Sequence, residues 1–241
     1  MSLSIQTALQ RGLRRAASLS GIAVFIPMLI LQAGIVLSAQ TAAVQFVVQN
    51  TQATITDVDP GLQLPVSITV AVGLMIVFTV AATIVVIPAA RLLVRDLSEL
   101  SSIPPATVTR RLLWASLSAL VCAVFLTVII PIGYLLLLVP GVFLTVSFQF
   151  TFFAIAVEDK GIIDSLSRSW QLASGERLLL FGMLVVISLL SAVPAVIVSF
   201  VPGSTAREIV SLILNSALLV TVYAILADVF VQLRNDEMAA T

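Results

Sequence analysis

Asp228 is the ionisable side chain that lies clearly within a long apolar run, six residues before Arg234. At a rise of about 1.5 Å per residue, the carboxylate would lie about 9 Å along a helix from that arginine. A carboxylate at such a depth is costly unless it is paired, hydrated or protonated, so Asp228 is a candidate for ion or proton coupling. The alternative is a structural role, in which it pairs with a loop arginine or reaches headgroup water.

Other residue types that carry out catalysis are scarce. The chain has no histidine, and its one cysteine, Cys122, lies within an apolar run. Acid–base catalysis needs positioned titratable groups, cysteine catalysis needs a base, and a His/Cys metal site needs several ligands. Glu158 and Asp159 could bind a cation, but two adjacent acids at a helix end are typical of a solvated boundary. We therefore expect no catalytic residue, metal ligand, cofactor or enzymatic activity.

The composition places the chain in the bilayer. Hydrophobic residues make up 60% and charged residues 10% of it, whereas soluble domains contain roughly 45–50% and about 25%. The net charge is zero, which argues against a large basic surface for nucleic acid. Because one span takes about 20 residues, the 241 residues suffice for one bundle with short loops. We expect a single membrane domain over residues 1–241.

Six apolar stretches have the length of a membrane span. The run from Leu112 to Val157 is about twice as long as one span needs, so it must form two helices. Pro140-Gly141 is its strongest turn pair, which puts the hairpin tip near Val139 to Gly141. The first stretch is interpreted as an anchor, with a cleaved signal peptide as the alternative. The predicted spans are 21–39, 66–90, 112–137, 141–157, 178–201 and 209–233.

The basic residues predict the orientation. Eleven of the twelve Lys and Arg residues fall in gaps that would share one side of the membrane, and Arg207 falls on the other. The gap from Gln40 to Pro65 contains Asp57 and Asp59 and no basic residue. Since cytoplasmic loops carry the excess of Lys and Arg, we expect a plasma-membrane protein with both termini in the cytoplasm.

Two short segments are amphipathic but too short to span. In Ile5 to Ala16 and in Ile162 to Ala173, apolar residues recur at helical spacing. The segments share four of twelve aligned residues, which leaves an internal duplication open. We expect both helices to lie on the cytoplasmic surface, with Trp170 at the interface and Asp164 paired with Arg168. Recruitment of a partner or of anionic lipid is the alternative to a purely covering role.

A characteristic string of residues follows the predicted hairpin tip. In order, it reads Val139-Pro140-Gly141, then Glu158-x-x-Gly161-x-x-x-Ser165-Leu166-x-Arg168-Ser169-Trp170-x-Leu172. With Ala8-Leu9-x-x-Gly12 before the first span, it resembles a prokaryotic superfamily of six-span membrane proteins. That superfamily includes the membrane domain found beside glycerophosphodiester phosphodiesterase domains, the YciC-like proteins, and uncharacterised bacterial and haloarchaeal members. The resemblance implies six helices and no particular reaction, because most members lack an assigned activity.

The same string has a physical interpretation. Pro140 suits the first turn of a helix, where its missing N–H costs nothing, and Gly141 permits a tight reversal of the backbone. Glu158 ends the fourth span, and Gly161 would supply a left-handed turn after it. Arg168 would then point toward lipid headgroups.

Together these patterns predict an all-α polytopic integral membrane bundle of about six transmembrane helices with two short amphipathic cytoplasmic surface helices. They favour a non-enzymatic membrane scaffold or accessory subunit that meets membrane lipid and either another membrane protein or a second copy of itself, and no nucleic acid. The alternatives are a small transporter or permease component and, third, a lipid-modifying enzyme. The candidate functional or structural residues are Asp228, Pro140, Gly141, Glu158, Gly161, Arg168, Ser169 and Trp170.

Overall fold

A computed structural model describes residues 5–51, 62–100 and 109–240. Asp57 and Asp59 of the predicted outer loop lie outside these ranges. Within them, all regular structure is helical, with one short 3₁₀-helix at Leu97–Glu99. The α-helices are α1 Ile5–Ala16, α2 Leu19–Asn50, α3 Ile68–Leu93, α4 Leu112–Leu136, α5 Leu138–Phe148, α6 Thr151–Glu158, α7 Ile162–Ser174, α8 Arg177–Ser199 and α9 Ser204–Ala240.

Among the described residues, six segments are long and apolar enough to cross a membrane, and they confirm the predicted all-helical, multi-span architecture. They are α2, α3, α4, α8, α9 and the combined α5 and α6, which cover Leu138–Glu158. The ends differ from the prediction. Helix α2 continues to Asn50, eleven residues past the predicted end at 39, because no Gly or Pro interrupts its Ala-, Gln- and Val-rich end. Hydropathy alone does not detect where such a helix stops.

The turn between α4 and α5 lies at Leu137, which takes an extended conformation with φ −163° and ψ 148°. The predicted tip at Val139 to Gly141 was therefore wrong by two to four residues. Pro140 lies in the first turn of α5, as its missing N–H favours. Gly141 is helical, and it permits close packing: a Cβ on Gly141 would lie 2.4 Å from the Cγ atom of Tyr134.

The turn between α8 and α9 follows the prediction from Pro202-Gly203-Ser204. Gly203 has a φ of +80°, which glycine adopts without strain, and α9 begins at Ser204.

The chain forms two compact units. The first comprises Met1–Val24, Thr83–Leu189 and Leu219–Thr241, and its core is built on aromatic rings. Phe153 stacks on Phe230 with a centroid distance of 5.6 Å, and Phe150 lies 6.2 Å from the same ring.

The second unit comprises Phe25–Ala82 and Leu190–Leu218. Small and polar residues pack its helices. Gly34 lies so close to Phe78 that a Cβ would come within 2.7 Å of the ring. The buried hydroxyl of Ser216 lies 3.1 Å from the amide oxygen of Gln32, so α9 is hydrogen-bonded to α2.

Candidate functional site

Asp228 is held in a buried ion pair. Its Oδ1 atom accepts a hydrogen bond from Nε of Arg15 at 3.1 Å, and only 1% of Asp228 and 4% of Arg15 are exposed. Its Oδ2 atom accepts a second hydrogen bond from the amide of Gln232 at 2.6 Å. Both carboxylate oxygens are therefore occupied. The structural role predicted for Asp228 is a pair with a loop arginine. The arginine that pairs with it instead belongs to helix α1.

Arg15 also joins α1 to the end of α3. Its Nη1 atom donates to the carbonyl oxygen of Leu93 at 2.6 Å and to that of Arg95. Gly12 lies one turn earlier on α1, and a Cβ there would come within 2.8 Å of the Ile225 Cα atom. Arg15 and Gly12 thus dock α1 closely against α3 and α9.

A second cluster forms around Asp159 at the end of α6. Asp159 takes a left-handed φ of 50° and accepts hydrogen bonds from Nη2 of Arg91 at 3.2 Å and from Arg110. Arg91 is buried and also donates to the carbonyl oxygen of Ala156 at 2.6 Å. Asp159, and not Gly161, supplies the left-handed turn, because Asp tolerates this conformation and Gly161 is extended at φ −70° and ψ 178°.

Arg168 links two acidic residues from different helices. Its Nε atom lies 3.1 Å from Glu158 at the end of α6, and its Nη2 atom lies 2.6 Å from Glu237 of α9. The predicted pair with Asp164 was wrong, since Arg168 pairs with these two carboxylates instead. The predicted orientation of Arg168 toward headgroups stays a prediction. Hydrogen bonding to Glu237 raises the pKa of Arg168.

An open cavity of about 680 Å³ lies beside these pairs in the first unit. Three of its four lining arginines, Arg91, Arg95 and Arg110, have acidic or carbonyl partners. Nε of the fourth, Arg234, is shielded from solvent and has no hydrogen-bond partner among the described residues. The rest of the lining includes Asp96, Glu99 and Asn235.

The fourth candidate span is broken between α5 and α6, and α7 packs against the break. The buried hydroxyl of Ser169 donates to the Ser147 carbonyl oxygen at 2.8 Å and accepts from the Phe150 N–H at 3.1 Å. One turn earlier on α7, the Ser165 hydroxyl lies 3.7 Å from Sγ of Cys122. Cys122 is ten residues from the start of α4, or about 15 Å along that helix. Helix α7 is therefore packed beside the middle of α4.

Trp170, like Ser169, contacts α5. Its ring meets Phe143 edge to face with a centroid distance of 5.3 Å and lies 5.9 Å from Phe148. The guanidinium of Arg177 lies over both Trp170 and Phe143.

The second unit has a polar cavity of about 420 Å³ between α2 and α9. Two buried acceptor atoms in its lining, Oε1 of Gln40 and Oε1 of Glu208, have no hydrogen-bond partner among the described residues. The other carboxylate oxygen of Glu208 accepts from the Leu62 N–H at 2.6 Å. Sequence reasoning missed this pair, because residues 168 positions apart give no local signal of a shared cavity.

The structure thus brings together part of the predicted set. Glu158 and Arg168 form one ion pair, and Ser169 and Trp170 hold α7 on α5. Asp228, Pro140 and Gly141 have separate structural roles, and Gly161 does not supply the left-handed turn predicted for it. Within 5–51, 62–100 and 109–240, no group of three or more Cys, Asp or Glu side chains is placed to hold a metal ion. The expected absence of a cofactor stays a prediction.

Comparison with known proteins assigns the chain to a family without assigning a role. No curated protein and no solved structure matches it. A family described as a domain of unknown function, DUF7847, matches residues 3–233, which is nearly the whole chain. The chain therefore belongs to the DUF7847 family.

Proposed function

We propose that this protein is a non-enzymatic membrane scaffold or an accessory subunit of a larger membrane complex. The observation that supports the proposal is that both carboxylate oxygens of Asp228 accept hydrogen bonds. A carboxylate that couples transport to protons or ions must exchange its ligand in each cycle. Asp228 instead has one oxygen on Arg15 and the other on Gln232, at a site that water hardly reaches. Such a group fixes helices and suits a rigid framework.

The ion pairs around Glu158 and Asp159 support the same role. They join the end of α6 to α3, α7 and α9 through Arg91, Arg168 and Glu237. A scaffold needs a fixed surface on which a membrane partner or a second copy can assemble. The superfamily that includes the membrane domain beside glycerophosphodiester phosphodiesterases is compatible with this role, because that membrane domain accompanies a separate catalytic domain.

The Asp228→Asn variant tests this function. For a scaffold, we expect a lower unfolding temperature in detergent and unchanged assembly of the folded fraction with its partner, measured by light scattering of the complex purified from native membranes. A matched control is Asp164→Asn, because Asp164 is exposed and makes no ion pair in the described residues. A stable Asp228→Asn protein that loses an ion-dependent uptake present in the wild type would contradict the proposal.

The proposed location is the plasma membrane with both termini in the cytoplasm. Two exposed serines, Ser98 and Ser204, serve as matched positions for single cysteines in a Cys122→Ala background. A membrane-impermeant maleimide added to intact cells should label Ser204→Cys and leave Ser98→Cys unlabelled until the cells are opened. The opposite result would reverse the orientation that the basic residues predict.

A small transporter is the second candidate, and the polar cavity of the second unit favours it. Two unpartnered acceptors, on Gln40 and Glu208, are what a cation or a hydrogen-bond donor would bind. Proteoliposomes of the purified chain should then pass sodium or potassium ions, and Glu208→Gln should abolish the flux without lowering the unfolding temperature. Equal ion leakage through wild type, Glu208→Gln and empty vesicles would exclude this candidate for these ions.

A further inference from the structure

Arg177, the first residue of α8, lies against two aromatic rings that meet edge to face. Its guanidinium carbon lies 4.6 Å from the Phe143 ring centroid and 4.7 Å from the Trp170 centroid. Cation–π contacts of this kind hold the guanidinium in place and leave its N–H groups as donors. Nε of Arg177 is shielded from solvent and has no hydrogen-bond partner among the described residues. No described carboxylate pairs with Arg177, unlike Arg15, Arg91 and Arg168.

An apolar groove of about 480 Å³ opens beside this arginine. One wall is a face of α5 formed by Leu138, Val142 and Val146, which are spaced four residues apart and so line up along the helix. The wall is about 12 Å long. The facing wall is Leu178 and Phe181 of α8. Arg177 is the charged residue of this lining, and Leu138, Leu178 and Phe181 remain accessible from outside.

We propose that this groove binds an anionic phospholipid, with the headgroup phosphate on Arg177 and one acyl chain along α5. The occupant follows from the two kinds of surface that meet here. An unpaired guanidinium is suited to a phosphate oxygen, and the two adjacent rings hold this guanidinium at the groove. An apolar channel that starts at the arginine suits a chain attached to that phosphate. A lipid with net negative charge is preferred over a zwitterionic one because no described carboxylate, that of the adjacent Glu176 included, forms an ion pair with Arg177.

Trp170 is the reporter for this site, because its ring contacts Arg177 directly. The chain has two tryptophans, so Trp114→Phe leaves Trp170 as the only one. The full chain in mixed micelles is titrated with chain-brominated phosphatidylglycerol and, separately, with chain-brominated phosphatidylcholine. We expect the anionic lipid to quench Trp170 at about a tenfold lower mole fraction, the ratio that corresponds to one charge-assisted contact.

Three variants in the Trp114→Phe background separate the parts of the site. In Arg177→Gln, the two lipids should quench Trp170 at the same mole fraction. Arg14→Gln removes an arginine that is exposed on α1, and it should leave the tenfold difference intact. Val142→Phe narrows the groove without changing the charge, so it should weaken quenching by both lipids. If Arg177→Gln does not give monodisperse protein, Val142→Phe decides: unchanged quenching overturns the proposal.

Two further outcomes would overturn the proposal that the groove binds an anionic phospholipid. Equal quenching by both lipids in the Trp114→Phe protein would mean that the groove meets only bulk lipid. Protection of Trp170 from both lipids in a chain that sediments as a dimer would mean that a second copy covers the groove. Because neither Asp228 nor the second unit enters this test, its outcome is independent of the proposed function.

Discussion

Helices α1 and α7 share an amphipathic pattern, but a buried ion pair holds α1 and buried hydroxyl groups hold α7. Helix α1 sends a charged side chain inward, since Arg15 is buried on Asp228 while Leu13 is exposed. Helix α7 buries two hydroxyls, Ser165 and Ser169, while Ile163 is 80% exposed. Lipid tails are as apolar as leucine, so nothing forces the apolar stripe of a membrane helix against the protein. The pattern therefore predicts the helix but not the face that packs.

The charged anchor of α1 should be the stronger of the two. Asp228→Ala leaves the Arg15 guanidinium buried without its carboxylate, which costs about 3–5 kcal/mol of folding free energy. Circular dichroism melts in one detergent measure this loss. The double variant Arg15→Met with Asp228→Leu removes both charges and should recover most of the stability. An Asp228→Ala protein with the same unfolding temperature as the wild type would show that this pair does not hold α1.

The hydroxyl anchor of α7 should be weaker. Ser169→Ala removes both the donor to Ser147 and the acceptor for the Phe150 N–H, which is left unsatisfied at the break between α5 and α6. A loss of about 1–3 kcal/mol is expected. Ser167→Ala is the matched control, because Ser167 lies on the same helix and is exposed. If the two variants melt alike, the serine face does not hold α7.

The ion pair between Arg168 of α7 and Glu237 of α9 should contribute least to stability. Glu237 is about half exposed, so Glu237→Gln should cost less than about 1 kcal/mol, and salt should reduce the difference further. Melting the wild type and the variant at low and high sodium chloride concentrations checks both statements. A salt-independent loss as large as that of Asp228→Ala would mean that Arg168 depends on Glu237 as Arg15 depends on Asp228.

The sequence predicted the elements better than their contacts. Six apolar runs and two amphipathic segments were found because hydropathy and helical periodicity are local properties. The break between α5 and α6 was missed, since apolar residues surround Gln149 and hydropathy continues across it. Arg15 was interpreted as a charge that sets orientation and as part of the polar face of α1. Its pairing with Asp228, 213 positions away, depends on how α1 docks, and no local pattern in one sequence records that.

The turn between α4 and α5 restricts where that hairpin can end. Leu135, Leu136, Leu137, Leu138 and Val139 follow one another at the tip, and their exposed fractions lie between 68% and 87%. Exposing such a side chain to water forgoes roughly 1.5–3 kcal/mol. Five in succession would make an aqueous tip prohibitively unfavourable, so the tip requires an apolar environment, which acyl chains or a membrane partner would supply. A water-soluble probe should therefore reach this tip from neither side of the membrane.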